Sequence, residues 1–372
     1  MKKQNIALLT FPMMSSGSIP LSNLINILCP LSNTLYVITG NEGYNLLKDD
    51  RRIHIYDIRH DSGKNKFSRI VKYVSTQLKI SYKLAQMRNI DVWIFFIGGD
   101  TLLLPMLTAK FMRKKVILAS AAYQLQMSRS QNDNLLNAIE ILEHINRNLS
   151  DIIILYSQNL IKEWNFEKYK NKICIAHEHI VDLGKFEIKK MLSDRKNLIG
   201  YIGRLSEEKG VLNFIQAIPK IIKEIDNVEF LIIGEGYLGD SIKKYLDENN
   251  LNGIVSLTGW IRHDELPNYL NELKLLIIPS FTEGLPNIML EAMACGTPVL
   301  ATSVGSIPNI IKDEDTGFIM DNNSSICITK NIIKVLEYPN LYRIADNARK
   351  LVEKEFTYEI AVENYKKILE YV

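Results

Sequence analysis

The sequence lacks long hydrophobic runs. A helix that spans a membrane needs about 18–20 consecutive apolar residues, whereas the most apolar stretches of this 372-residue chain, at 92–97 and 275–278, are only long enough for a strand. The N-terminus passes from its lysines directly into such a stretch, without the small-residue cleavage site of a secretion signal. These two absences predict a cytoplasmic protein.

Cysteine and metal-binding patterns are also scarce. The four cysteines are far apart and share no metal-ligand spacing, so we expect free thiols in a reducing compartment. His177 and His179 alternate along a predicted strand end with no third ligand nearby, which disfavours a metal site. The first predicted strand is not followed by the glycine fingerprint G-x-G-x-x-G, which disfavours a dinucleotide dehydrogenase.

Short β-rich runs alternate with helical patterns along the whole chain. The predicted strands cover residues 5–10, 34–39, 92–97, 115–119, 152–156 and 172–176, and then, after a polar stretch, residues 198–202, 228–233, 254–258, 275–279 and 298–302. The chain is longer than the roughly 250–300 residues at which a single core stops growing. The alternation therefore predicts an α/β fold of two Rossmann-like parallel-sheet domains, residues 1–190 and 191–357. We expect the ligand beyond the carboxyl ends of the strands, in a cleft between the domains.

Charge is distributed unevenly between the two halves. Residues 1–190 contain 26 lysines and arginines against 16 aspartates and glutamates, and residues 191–372 contain 19 against 26. Within the basic half, the segment from Ser62 to Ile90 contains seven cations and no acid. Its apolar residues recur at helical intervals, at Phe67, Ile70, Val71, Val74, Leu78, Ile80, Leu84 and Met87. This pattern predicts a basic amphipathic helix or helix pair.

Two interpretations of this basic segment stay open. Either its apolar face packs on a protein core while its cations are solvated, or the cations bind an anionic partner such as a membrane surface or a lipid phosphate. In the second case the protein is peripheral at the cytoplasmic face of a membrane. We expect no nucleic-acid partner in either case.

A candidate anion site follows the strand predicted at 198–202. The loop at residues 203–210 leads into an apolar-periodic helix that starts at residue 211. Arg204 can bind a phosphate with a bidentate fork and Lys209 as a point charge, while Gly203 leaves room near the backbone. The helix start adds further attraction for an anion. Taken alone, however, these residues also describe an ordinary solvated loop.

A second candidate element lies between residues 279 and 299. Pro286 is suited to the first turn of a helix, which places Glu283 in the preceding loop and Glu291 about five residues into the helix. Because helical side chains lean toward the N-terminus, both carboxylates can face one cleft, where they suit sugar hydroxyls. Exposed backbone amides near the helix start can meet a phosphate, namely those of Gly284, Leu285 and Asn287.

These elements belong to one ordered pattern. In chain order it consists of Gly203-Arg204-Leu205-x-x-Glu208-Lys209-Gly210, Gly234-Glu235-Gly236, Leu257-x-Gly259, Pro279-Ser280, and Glu283-Gly284-Leu285-Pro286 with Glu291. The pattern resembles the family-4 retaining glycosyltransferases of the GT-B fold, strongly over residues 198–317 and only in topology over residues 1–190. The resemblance implies transfer of a sugar from a nucleotide-diphosphate donor to a glycan or lipid-linked acceptor. Such reactions build polysaccharides, glycolipids and glycoprotein glycans.

The resemblance also implies roles for the matching positions. Arg204 and Lys209 would hold the donor diphosphate and stabilise the charge that develops on it as the glycosidic bond breaks. Glu291 would bind the donor ribose, Glu283 would orient the transferred sugar, and the backbone near Ile261 would meet the base. Family members generally need no metal and no cofactor besides the nucleotide sugar. The leaving phosphate would help to deprotonate the acceptor.

The first half departs from the family pattern. The resemblance assigns the acceptor to residues 1–190, completed by a C-terminal helix over 358–372 that crosses back onto this domain. Gly17 stands alone where relatives often carry paired glycines near the diphosphate. Where many relatives place a histidine near the donor sugar, this sequence reads Ser120-Ala121-Ala122-Tyr123.

Two other functions remain compatible with the sequence. An epimerase or a phosphorylase can use the same fold, although an epimerase relies on acid–base groups at the sugar and none stands out here. A non-catalytic partner subunit is the second alternative. The missing histidine favours it, whereas the intact Arg204, Lys209, Glu283 and Glu291 argue against it.

Overall fold

The chain divides into two compact units, Met1–Ile180 with Tyr358–Val372 and Val181–Thr357. The computed structural model describes residues 3–13, 17–63, 65–120 and 136–372, and of Leu136 only the backbone. Each unit is built around one parallel sheet, which confirms the predicted fold class. The predicted domain boundary at residue 190 lies inside the second unit.

The first unit contains a seven-stranded sheet in the order β3-β2-β1-β4-β5-β6-β7. Its strands are β1 (Gln4–Thr10), β2 (Ser32–Thr39), β3 (His54–Asp57), β4 (Val92–Phe96), β5 (Lys115–Ala119), β6 (Ile152–Leu155) and β7 (Ile173–Ile175). Its first helices are α1 (Ser18–Leu31), α2 (Glu42–Leu47), α3 (Lys66–Gln86), α4 (Leu103–Phe111), α5 (Leu136–Leu149) and α6 (Asn159–Glu163).

Both faces of this sheet are covered, which is why its central strands read as continuous apolar runs. Every residue of β4 is buried. Along β1, successive side chains alternate between two cores. Ile6 and Leu8 join the core that includes α1, whereas Ala7 and Leu9 join the core that includes α3 and α4.

The basic segment forms one helix, α3, rather than two. Its N-cap Asn65 accepts a hydrogen bond of 2.8 Å from the Ser68 amide. Of its regularly spaced apolar residues, Ile80 and Leu84 are buried. Five others are exposed, from Phe67, which is 78% exposed, through Ile70, Val71, Val74 and Leu78. The helix is therefore anchored near its C-terminus, and much of its apolar stripe faces outward.

The second unit contains a six-stranded parallel sheet in the order β10-β9-β8-β11-β12-β13. Its strands are β8 (Asn197–Ile202), β9 (Val228–Ile233), β10 (Val255–Gly259), β11 (Leu275–Ile278), β12 (Val299–Thr302) and β13 (Phe318–Met320). Its helices are α7 (Val211–Glu224), α8 (Gly239–Glu248), α9 (Leu266–Glu272), α10 (Asn287–Ala294), α11 (Ile307–Ile310), α12 (Ser325–Leu336) and α13 (Leu341–Glu355). Helices α7 and α12 pack into one large core, and α10 packs on β11 and β12.

Two strands, β3 and β13, were not predicted from the sequence. Each lies at the edge of its sheet and is short, with four residues in β3 and three in β13. Strand β3 is partly exposed and lacks the continuous apolar run that marks a central strand, whereas β13 is apolar but very short. In the part of the chain that the structure describes, no helix is long and apolar enough to cross a membrane.

The C-terminal helix, α14 (Tyr358–Tyr371), packs in the first unit, where Tyr365 joins the core of α1. A buried carboxyl group, that of Glu178, lies in the same region and accepts a hydrogen bond of 2.7 Å from the Tyr156 hydroxyl. Burial raises the pKa of Glu178 to about 7, and the Tyr156 hydrogen bond only partly opposes this shift. His179 is buried against the Tyr156 ring, and burial lowers the pKa of neighbouring His177 to about 4.

The raised pKa of Glu178 predicts a pH-dependent effect of Glu178→Gln on stability. Folding favours the protonated carboxyl, so this contribution is complete below the ordinary carboxyl pKa and is lost as the pH rises through about 7. Glutamine cannot ionise and mimics the protonated form. We expect the variant to unfold with a Tm about 5 °C above that of the parent at pH 8, and close to it at pH 5. The control is Glu167→Gln, at an exposed position, and an equal shift at both pH values would contradict the assignment.

Candidate functional site

The strands β8 and β11 are neighbours in the second sheet, and the chain leaves them in opposite directions. From β8 it continues to β9 on one side, and from β11 to β12 on the other. Ligands of doubly wound sheets bind at the carboxyl ends of such a pair of strands. The loop with Arg204 and Lys209 follows β8, and the loop with Glu283 follows β11. The fold therefore brings the two predicted motifs to one place.

Gly210 allows the two loops to approach each other. It is left-handed, with φ of 67°, and a Cβ atom at this position would lie 2.0 Å from the carbonyl oxygen of Pro279 at the end of β11. Only glycine fits this conformation and this contact without strain. Nearby, the Phe281 amide donates a hydrogen bond of 2.9 Å to the Glu208 carbonyl. The backbone thus fixes the spacing between the motifs.

Lys209 and Glu283 form an ion pair at this junction. The Lys209 Nζ atom lies 2.7 Å from Glu283 Oε1, and the Ser280 hydroxyl donates to the same oxygen at 2.7 Å. The Glu283 side chain is only 9% exposed. A carboxylate so far removed from water needs charged and hydrogen-bonded partners. Its two donors fix the orientation of the Glu283 side chain.

Residues that follow β12 hold the backbone of the Glu283 loop in place. Gly305 is left-handed, with φ of 60°, and a Cβ atom there would lie 2.1 Å from the Glu283 carbonyl oxygen. The Ser306 amide donates a hydrogen bond of 2.9 Å to the Gly284 carbonyl. Helix α10 then starts at Asn287, just after the buried Leu285. The predicted amides therefore belong to a loop that is packed on both sides.

Arg204 is the more exposed cation of the site. Its Nη2 atom lies 2.9 Å from Glu208 Oε1, which also accepts a hydrogen bond of 2.7 Å from the Ser206 hydroxyl. The Arg204 side chain is 51% exposed, and an ion pair in that setting contributes little to stability. The Tyr201 hydroxyl donates to the Arg204 carbonyl at 2.7 Å, and burial raises the pKa of Tyr201. The loop backbone is thus fixed while the guanidinium keeps contact with solvent.

Glu291 is buried in α10 and is held by a histidine that follows β10. The Nε2 atom of His263 lies 2.7 Å from Glu291 Oε1, and the Nδ1 atom of the same ring lies 3.0 Å from Lys185 Nζ. A lysine ammonium group only donates hydrogen bonds, so Nδ1 accepts and Nε2 carries the proton donated to Glu291. Ile261, half-buried, lies two residues before His263. No motif in the sequence indicated the His263 contact.

The arrangement of the second unit agrees with comparisons to known proteins. Residues 185–351 match the family model for glycosyl transferases group 1. The chain is 22% identical to the N-acetyl-alpha-D-glucosaminyl L-malate synthase of Bacillus anthracis, over 98% of this chain and 96% of that protein. Residues 185–351 therefore form a glycosyl transferases group 1 region. The chain is a glycosyltransferase that uses a nucleotide-sugar donor.

Two further proteins extend the comparison. An Escherichia coli UDP-Gal:alpha-D-GlcNAc-diphosphoundecaprenol alpha-1,3-galactosyltransferase is 29% identical over 47% of this chain and 48% of its own length. The crystal structure of Anabaena Alr3699/HepE in complex with UDP aligns with a TM-score of 0.78 at 16% identity, over 99% of this chain and 100% of that chain. The two-sheet architecture is therefore that of the GT-B glycosyltransferases.

Not every predicted residue of this glycosyltransferase lies in the second unit. Gly17 belongs to the first unit, where it precedes α1. Tyr123, in the stretch where many relatives have a histidine, lies outside the described residues. Asp182 accepts backbone hydrogen bonds from Gly184 and Lys185 and so closes a turn. Over the described parts of the chain, no group of three or more potential ligand side chains could hold a metal ion.

Three contacts of the site were not predicted, those of Ser280, Glu208 and His263, although Ser280 and Glu208 belong to the sequence pattern. Glu208 is four residues from Arg204, a spacing at which opposite charges commonly meet on a helical turn, so the sequence did contain a signal. Ser280 stands three residues before Glu283 and contacts it through the turn. His263 is 28 residues from Glu291. No local pattern encodes a contact that depends on how the chain after β10 packs against α10.

The close approach at Gly210 predicts a large effect of Gly210→Ala. The new methyl group would collide with the Pro279 carbonyl and strain the left-handed backbone, so the two loops must separate. We expect unfolding at a Tm lower by about 5 °C or more, from a loss of a few kcal/mol, together with weaker nucleotide binding by calorimetry. The matched control is Gly253→Ala, since a Cβ at Gly253 meets nothing within 4 Å. Equal Tm values for both variants would contradict this role of Gly210.

Proposed function

We propose that this glycosyltransferase transfers a sugar from a UDP-activated donor with retention of configuration, in the biosynthesis of a polysaccharide, glycolipid or glycoprotein glycan. The uridine nucleotide is supported by the UDP in the Anabaena Alr3699/HepE structure and by the UDP-Gal donor named for the Escherichia coli relative. The glycan assignment is supported by the same relative. In this proposal the second unit binds the donor and the first unit binds the acceptor.

The observation that carries the proposal is the pairing of Lys209 with Glu283 at the junction of β8 and β11. Lys209 and Arg204 lie on one loop, so a diphosphate that bridges their side chains would lie next to Glu283. Glu283 would then orient the transferred sugar through its hydroxyl groups. The two cations would stabilise the negative charge that grows on the diphosphate as the glycosidic bond breaks.

The remaining predicted contacts would hold the rest of the donor. Glu291, whose orientation is supported by His263, would bind the ribose hydroxyls, and the backbone at Ile261 would meet the base. Amides at Gly284, Leu285 and Asn287 would approach the phosphates near the start of α10.

The proposed chemistry follows from the positive charges of Arg204 and Lys209. A diphosphate leaving group carries oxygens that can accept the acceptor's proton as the new bond forms on the same face of the sugar. Arg204 and Lys209 supply the positive charge that a metal ion provides in other phosphate sites, so we propose a metal-independent reaction. Their contribution is largest in the transition state, where the charge on the leaving group is highest.

Replacement of Glu283 by glutamine tests the proposed site. The variant keeps the size of the side chain and can accept the hydrogen bond from Ser280, but it loses the negative charge that would orient the sugar. We expect UDP binding by calorimetry within about threefold of the parent, and release of UDP from a UDP-sugar slowed by on the order of 100-fold. Assays with UDP-, GDP- and ADP-sugars, with and without EDTA, identify the donor and test the metal-independent clamp.

The control for that experiment is Glu207→Gln, an exposed acid on the neighbouring loop, which should retain the parent activity. Unchanged turnover in Glu283→Gln would remove Glu283 from the site. Failure of the parent to bind any nucleoside diphosphate would overturn the donor assignment as a whole. Complete loss of activity with EDTA would contradict the metal-independent mechanism.

For the first unit we propose contact with an anionic membrane surface through the segment from Ser62 to Ile90. Helix α3 exposes Phe67, Val71 and Leu78 beside its lysines, so it combines apolar area with positive charge. Both are features of helices that lie in a membrane interface. An acceptor carried by a lipid would be met at that surface.

Vesicle flotation tests the membrane contact. We expect the parent to float with phosphatidylcholine vesicles that contain phosphatidylglycerol, and to be released by high salt, because the attraction between exposed charges is screened. Charge reversal at the exposed Lys66 and Lys79 should abolish flotation. The matched control reverses Lys220 and Lys243 in the second unit, both also exposed. Absent flotation, or flotation that salt does not change, would favour a merely solvated helix face.

A further inference from the structure

A cavity of about 680 Å³ opens in the first unit. Phe11, just after β1, and Gly98 and Thr101, just after β4, contribute to its wall. Strands β1 and β4 are neighbours from which the chain continues in opposite directions, so the cavity lies where a doubly wound sheet binds its ligand. Its volume falls within the range of about 300–1,000 Å³ that is usual for ligand sites.

The wall of this cavity is mainly aliphatic. Three helices, α3, α4 and α5, contribute pairs of side chains to it, namely Ile70 and Val74, Leu103 and Leu104, and Ile139 and Leu142. A sugar ring presents hydroxyl groups in every direction and would leave many of them without partners against such a wall. A hydrocarbon chain has no polar groups to satisfy.

Polar side chains of the wall are already engaged within the protein. The Tyr73 hydroxyl donates to the Thr101 carbonyl at 2.7 Å, and Gln77 Oε1 accepts from the Leu104 amide at 2.9 Å. His60 Nδ1 lies 2.9 Å from the Thr76 hydroxyl. These contacts turn polar atoms away from a ligand, so a bound molecule meets mostly carbon.

Among the described wall residues, the charged side chain is a cation. Acids adjoin the wall on α5 at Glu140, which is exposed, and at Glu143, which is buried and paired with Arg147. Arg69 is part of its wall, and α3, from which it projects, has no acidic residue. The nearest acid before the helix, Asp61, is paired with Lys72. The exposed side chains of Ile70 and Val74 belong both to the cavity wall and to the outer stripe of α3. The surroundings therefore suit a molecule with an apolar body and an anionic head.

We propose that this cavity binds the hydrocarbon chain of the acceptor, which is accordingly an anionic amphiphile such as a lipid phosphate. This inference rests on the proposed function, because it takes the first unit as the acceptor side of the enzyme. The chain lies between α3, α4 and α5, and the anionic head lies beside the cations of α3. The apolar stripe of α3 leads from the surface of the unit to the cavity.

Calorimetric titration with alkyl phosphates tests the cavity. Butyl, octyl, decyl and dodecyl phosphate are compared with inorganic phosphate, each below its micelle-forming concentration. We expect affinity to rise about threefold to fourfold for each added methylene until the cavity is full, since each buried methylene adds a constant increment. Dodecyl maltoside, with the same chain and a neutral head, should bind more weakly than dodecyl phosphate. Inorganic phosphate alone should show no binding in the first unit.

Ala138→Phe is the matched variant, because Ala138 is exposed and lines the cavity, so the larger side chain fills the space without disturbing the core. Asn137→Phe adds the same ring at the preceding residue, which is also exposed but does not line the cavity. We expect Ala138→Phe to weaken dodecyl phosphate by at least tenfold and Asn137→Phe to leave it unchanged. Affinity that does not depend on chain length, or equal affinity in both variants, would overturn the proposal.

Binding of UDP is measured in the same samples and separates the two levels of inference. If UDP binds and chain length has no effect, the acceptor inference fails while the donor assignment stands. If UDP does not bind the parent protein, the proposed function itself fails. Circular dichroism of both variants verifies that each remains folded.

Discussion

The ion pair between Lys209 and Glu283 is the contact on which the second unit's site depends. The two residues are 74 positions apart and follow different strands, so they meet only because β8 and β11 are neighbours in the sheet. A carboxylate as buried as Glu283 would be strongly destabilising without a partner. The glycines that let the loops touch, Gly210 and Gly305, are therefore part of the same requirement. Backbone conformation, packing and charge all specify one geometry.

Net charge alone would have placed the proposed diphosphate site in residues 1–190, the more basic half of the chain. Residues 191–372, which contain the predicted anion-binding residues Arg204 and Lys209, have more acids than bases, at 26 against 19. Both cations are paired with carboxylates, Arg204 with Glu208 and Lys209 with Glu283. An arriving diphosphate would thus join or replace existing pairs instead of meeting bare charges. The site is indicated instead by a few hydrogen-bond donors that point to one place at the junction of β8 and β11.

The fold was predictable because its central strands are covered on both faces, so β1, β4 and β11 read as apolar runs. The two motif loops were predictable because they join strands to helices within a few residues. The edge strands β3 and β13 were not, since β3 is partly exposed and β13 has only three residues. His263 was not predictable either, because its contact with Glu291 depends on how the chain after β10 packs against α10. Helical periodicity placed α3 correctly, yet periodicity does not reveal whether an apolar stripe faces a core or solvent.

One physical rule produces opposite surfaces in the two units. Polar groups removed from water must find partners. At the junction of β8 and β11 the partners are side chains of opposite charge, which leaves a polar site able to exchange contacts with a charged donor. At the junction of β1 and β4 the partners are backbone groups, as for Tyr73 and Gln77, which leaves a wall of carbon. Equivalent positions in two similar sheets therefore select different chemistry. A sugar nucleotide suits the first of these surfaces, and an amphiphile with a hydrocarbon chain suits the second.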